Sequence, residues 1–200
     1  MFRKTLYASL FMLLVVVTSP LSAQMAGWKL DKAHSSIGFS VRHLVISEVT
    51  GTFRDFDISV NATKNDFSDA TIDAVIKVAS INTGNERRDA HLRTDDFFNA
   101  ERFPEIRFRS TSFEKSEDGS YNLTGFLTIR DTTKQVTFHA VNNGLVKTPW
   151  GATVSSWKAT LVINRFDYGL KWNKTIETGG LVAGDAVTIT VNLELNKASS

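Results

Sequence analysis

The chain has no cysteine in its 200 residues. That excludes disulfide staples, thiol nucleophiles and thiolate metal sites at once, so the fold must rest on an apolar core. Its length is enough to build one. A basic excess is also missing. There are 23 Lys and Arg against 21 Asp and Glu, and removing a leader that contains Arg3 and Lys4 but no acid leaves 21 of each. A neutral chain cannot displace the counterions of nucleic acid, so a nucleic-acid partner is excluded. Enzymatic motifs are absent too: no G-x-S-x-G, Walker loop, dinucleotide fingerprint or H-E-x-x-H occurs. The scattered His34, His43, His91 and His139 read as ordinary polar positions at strand ends, and neither a catalytic nor a metal role is expected. No linker-like tract and no repeat divides Trp28 from Lys197, which leaves one domain.

What is present begins with Met1 to Ala23, where a positive start at Arg3 and Lys4 precedes a mostly apolar Leu6 to Val17 and a small-residue end. The run is short for a membrane span. It reads as a secretory signal peptide over 1–23, followed by a single domain over 24–200, and export without cysteine fits a bacterial periplasm. Sequons at Asn61, Asn122 and Asn173 would matter only on a eukaryotic secretory route.

Beyond the leader, period-two alternation dominates. Ile37, Phe39 and Val41 form one inward row, and Val49, Gly51 and Phe53 the next. The parity then switches to Phe56, Ile58 and Val60, which predicts a bulge near Arg54-Asp55. Counting on through turn signals such as Asp118-Gly119 and Gly179-Gly180 gives eight long strands. They run over 35–43, 49–61, 70–81, 106–115, 121–130, 135–147, 151–166 and 185–196. Alternation alone leaves a sandwich and a barrel both open, whereas strands this long favour a barrel. Fourteen phenylalanines would suit either a ligand cavity or a thick core.

One stretch breaks the pattern. Glu86 to Phe108 is densely charged and reads as one or two helical turns, with Pro104 forcing an extended exit. Its charges read as a solvated face carrying local ion pairs, with Leu92, Phe97 and Phe98 turned inward. An acid–base cluster and an arginine contact to an anionic headgroup through Arg87, Arg88 or Arg93 are the competing readings. The apolar triplet Leu44-Val45-Ile46 in a turn either tucks under the barrel or lines a portal. Trp28, Trp150, Trp157 and Trp172 either pack or line a ligand surface.

Several segments together resemble the YceI-like family of bacterial lipid-binding proteins. They are WKLDKAHSSIGFSVRHL at 28–44, GTFRDFD at 51–57, RDAHLRTDDFFNAERFPEIRF at 88–108, LTGFLTIRDTTKQVTF at 123–138, INRFDYGL at 163–170 and VTITVNLEL at 187–195. Asp131 departs from the family pattern, which often has glycine there. The resemblance implies an all-β, eight-stranded antiparallel lipocalin-like barrel with a short helical element between strands four and five. It also implies a non-catalytic protein that needs no cofactor and binds a polyisoprenoid, such as an isoprenoid quinone or polyprenyl compound. A fatty acid or fatty amide in the same tunnel is the alternative. A lipid-modifying enzyme and a stress-induced β-domain with a filled core are the readings from other classes. On this view the tunnel is lined by Phe39, Val41, Phe53, Ile72, Ile76, Phe108, Leu127, Ile129, Phe138 and Leu161. Transient membrane contact and a homodimer stay open.

Overall fold

Tyr121 to Ile129 shows in miniature why this chain forms curved sheet. Tyr121, Leu123, Gly125, Leu127 and Ile129 are buried, while Asn122 and Phe126 point to water. Repeated along the chain, that period turns one face of every strand toward a shared interior. The computed structural model describes residues 27–177 and 179–198, so the signal peptide expected over 1–23 lies outside the described residues. The strands are β1 (Trp28–Leu30), β2 (Ser36–His43), β3 (Ser47–Phe53), β4 (Phe56–Asn61), β5 (Thr71–Lys77), β6 (Ile81–Asn82), β7 (Glu105–Lys115), β8 (Tyr121–Ile129), β9 (Thr132–Lys147), β10 (Thr153–Asn164) and β11 (Ala183–Lys197). One α-helix, α1 (Glu86–Arg93), interrupts them.

These pieces occupy eight positions in a closed antiparallel barrel. β1 and β2 both pair with β11 and count as one position, broken by a tight turn at Lys32–His34 that Asp31 caps. β3 and β4 are two halves of one strand, interrupted at Arg54-Asp55 where the sequence switches parity. β5 and β6 form the next position, and β7 to β11 follow in order. Pairing of β1 with both β4 and β11 closes the ring and leaves no free edge there. The expected strand bounds hold to within a few residues, except that β1 was not anticipated. Three residues are too few to show a period. α1 follows four strands when the halves of the bulged strand are counted apart.

The two ends of the barrel differ. At one end the β4–β5 loop folds Phe67 under the barrel against Trp28 and Trp157, with ring centroids 4.7 and 5.0 Å away. Tyr121 and Phe113 complete the stack. Phe67 holds a positive φ of 57°, a conformation unfavourable for a bulky side chain. The loop imposes it. Asp69 accepts from the Thr63 hydroxyl and from the backbone N–H groups of Thr63 and Lys64, and the Thr63 bond foremost lowers its pKa to about 2. The other end carries α1, the β2–β3 and β8–β9 turns and the 165–182 connection.

Two inward glycines mark where rings cover the sheet. A β-carbon at Gly125 would lie 2.4 Å from the Arg109 carbonyl oxygen and 2.5 Å from the Phe108 ring. The backbone there cannot yield as a flexible side chain would. Gly125→Ala should therefore destabilise the barrel by about 1–3 kcal/mol, read as a lower denaturant midpoint at unchanged slope.

Candidate functional site

The inward rows do not fill the barrel. Between the aromatic plug and α1 they leave an apolar cavity of about 320 Å³, within the range of small-molecule sites. Nine of the ten residues expected to line it do so: Phe39, Val41, Phe53, Ile72, Ile76, Phe108, Leu127, Ile129 and Phe138. Leu161 is the exception. It shares the inward row with Ala159 and Ile163 and packs against the core as they do, but unlike them it does not border the space. The filled-core expectation thus fails on geometry. Ala159, Ile163, Val187, Ile189, Val191 and Leu193 point inward yet are only half-buried, because they front open space.

Among the described residues lining the cavity, the polar ones gather at the α1 end. Asn85 caps the helix by accepting from the Arg88 N–H at 3.0 Å, as its position before a charged first turn requires. This fixes Asp89 and Arg88 toward the barrel. Asp89 is 4% exposed, and its Oδ1 accepts from Thr83 N at 2.9 Å and Thr83 Oγ1 at 2.6 Å. The same hydroxyl accepts from Arg88 Nε at 2.7 Å, while Arg88 Nη2 donates to the Thr83 carbonyl at 2.9 Å. The expectation that this segment turns its charges to water holds for Glu86, Arg87, Asp95 and Asp96, and His91–Asp96 is a local pair, but Asp89 and its neighbour Arg88 depart from it. A buried carboxylate must be saturated with donors, and the Thr83 turn supplies them. Leu92, Phe97 and Phe98 do face inward and line the cavity.

Three further arginines act as staples on backbone carbonyls. Arg93 donates to Ala79 and Ile81, which ties α1 to the end of the third barrel position. Arg130 donates to the carbonyls of Asp95, Phe97 and Gly169 and pairs with the Asp95 carboxylate at 2.8 Å. Arg165 is 4% exposed and reaches the carbonyls of Leu170, Trp172, Ala183 and Gly184 at 2.6–2.9 Å. Burial lowers the pKa of its guanidinium, opposed by Asp185, yet an arginine keeps its charge. His43 Nδ1 donates to the Val182 carbonyl at 3.0 Å, and His91 Nε2 meets Asp96 at 2.7 Å.

The remaining candidates separate cleanly. Trp28 and Trp157 belong to the plug, Trp172 lines the cavity beside Phe97, and Trp150 is exposed on the β9–β10 turn. Val45 and Ile46 do not tuck in: at the α1 end they are 50% and 89% exposed, and Leu44 and Val45 both hold positive φ. On the outer wall His34 Nδ1 lies 3.1 Å from Asp31 and 3.8 Å from Glu194, and the Asp31 hydrogen bond foremost raises its pKa. Of the residues at the mouth, Trp172 takes the ligand-lining side of its two readings, whereas His43 reads from sequence as an ordinary polar position and Thr83, Arg42 and Arg165 are not singled out there. Of these last three, only Arg165 carried a usable signal, as a charge inside an otherwise apolar strand end.

A YceI-like domain model matches residues 28–195. A UPF0312 protein of Staphylococcus aureus is 39% identical over 173 residues, spanning 86% of this chain and 98% of its own. The crystal structure of the YCEI protein of Campylobacter jejuni superposes with a TM-score of 0.68 at 32% identity, covering 86% of this chain and 98% of that one. A polyisoprenoid binding domain of Saccharophagus degradans, implicated in plant cell wall breakdown, shares the fold with a TM-score of 0.64 at 16% identity, over 88% and 100% of the two chains. The domain model spans nearly the whole barrel, and relatives above 30% identity are covered almost end to end: the chain belongs to the YceI-like family.

Proposed function

We propose that this protein sequesters or carries a polyisoprenoid in the periplasm, with the tail in the barrel and the head at the α1 end. The observation that carries this is a cavity walled almost wholly by apolar side chains, with an aromatic stack filling the barrel at the end opposite α1. Apolar surface costs roughly 25 cal/mol per Å² in water, so such a space is stable for a tail and inhospitable to water. The fold shared with a polyisoprenoid binding domain supports the ligand class. The leader-like 1–23 supports export. Exposed Val45 and Ile46 beside the mouth support transient membrane contact during loading.

A binding role is favoured over catalysis by the polar inventory. Among the described lining residues none is Asp or Glu, so the cavity wall offers no carboxylate as base or nucleophile. Native mass spectrometry of protein purified from its own host tests the reading. A co-purifying lipid of polyprenyl mass is the expected result. Recovery of apo protein that also fails to take up polyprenyl compounds would contradict it.

A further inference from the structure

Charge around the cavity is one-sided. Among the described residues lining it, Arg42, Arg88 and Arg165 are cationic, His43 and His91 are titratable, and no acid is present. Acids near these residues are engaged elsewhere or stand outside the lining: Thr83 holds Asp89, His91 holds Asp96, Lys134 holds Asp167, and Glu48 faces Arg42 across the β2–β3 pair without bordering the space. Asp89 reaches Arg88 only through the Thr83 hydroxyl. Arg165 is buried with four carbonyl partners, and no carboxylate pairs with it among the described residues. Asp185 acts on Arg165 through space without pairing with it, so the buried guanidinium still contributes positive potential to a poorly polar space.

Arg88 can use that field. Thr83 fixes its Nε and Nη2, which orients the planar fork, while no described residue engages Nη1. The side chain lines the cavity beside Leu92 and Phe98, where the end of an apolar chain would emerge. Such a fork suits the planar or tetrahedral oxygens of a carboxylate or phosphate. Resting on the lipid-binding reading, we propose that the ligand's head is anionic, a carboxylate or phosphate. Arg88 is its principal contact, and Arg42 and Arg165 supply the surrounding positive potential. An ammonium head is rejected by the same three charges, and a neutral head forfeits the ionic part of the contact.

The test uses delipidated protein and ligands with one common long tail, ending in a carboxylate, a phosphate, a primary amide or an ammonium. Each displaces a fluorescent apolar probe from the cavity. The carboxylate and phosphate should bind about tenfold tighter than the amide, the worth of one charge-assisted contact, and the ammonium should bind weakest. Arg88→Gln should collapse the carboxylate-to-amide ratio toward one, and Arg88→Lys should restore part of it. Arg88 also braces Thr83, so its loss could loosen the mouth. Loosening weakens every head alike and leaves the ratio unchanged. Arg42→Glu, which leaves Thr83 untouched, should lower the same ratio. Equal affinity of the wild type for carboxylate and amide overturns the proposal, and so does an unchanged ratio in Arg88→Gln. If no tail binds at all, the lipid-binding reading falls, and the anionic head with it.

Discussion

Phe67→Ala should cost the protein about 3–5 kcal/mol of stability, the cost of truncating a fully buried phenylalanine whose site cannot collapse. Phe67 is 2% exposed and touches Trp28 and Trp157, whose rings are locked in turn by Tyr121 and Phe113. Strands fixed by pairing on both sides cannot move in to fill the space, so the void stays. For a domain of this size the change corresponds to a fall in melting temperature of roughly 6–20 °C. Phe67→Leu, which keeps most of the volume, should recover more than half of the loss. Calorimetry on the three proteins reads this directly. Equal melting temperatures for Phe67→Ala and the wild type would show that the stack does not bear on stability.

Ala159→Phe should weaken lipid binding about a hundredfold while leaving the fold intact. Ala159 fronts the cavity from β10, between Ala140 and Val191 on the neighbouring strands. A phenyl ring there projects into open space rather than into packed atoms, so it adds buried apolar contact and should not lower the melting temperature. It also occupies room the tail needs. Excluding about four methylenes of tail costs roughly 3 kcal/mol, or about a hundredfold in affinity. Displacement of a cavity probe, measured beside a thermal melt, separates the outcomes. A variant that melts normally and binds normally would place the ligand outside the barrel.

Much of this molecule could be read from alternation. The strands, the bulge at Arg54-Asp55 and the inward rows follow from side chains that must point to one face or the other, and nine of ten cavity residues follow from those rows. Leu161 shows the limit of that reasoning. Parity gives the face but not the depth, and whether an inward residue meets open space or a neighbour depends on the barrel's cross-section. The plug was invisible for a similar reason, since Phe67 sits in a loop with no period and Trp28 in a strand of three residues. The charged segment misled most. Charge density suggests a solvated face, but Asp89 is buried because Thr83 donates to it twice, and that contact is fixed only when the helix docks. Arg130 and Arg165 likewise gain their partners from carbonyls distant in sequence, which no local pattern reports.

The orientation of the tail is the central claim, and the tryptophans report on it. Trp157 stands at the plug and Trp172 at the mouth. Fluorine NMR of 5-fluorotryptophan-labelled protein, loaded with a long-chain carboxylate bearing a nitroxide near its tail end, should show the Trp157 resonance broadened and the Trp172 resonance sharp. Moving the nitroxide next to the head should reverse the pattern. Broadening of Trp172 by the tail-end label, or of neither residue by either label, would contradict a tail buried in the barrel with its head at the α1 end.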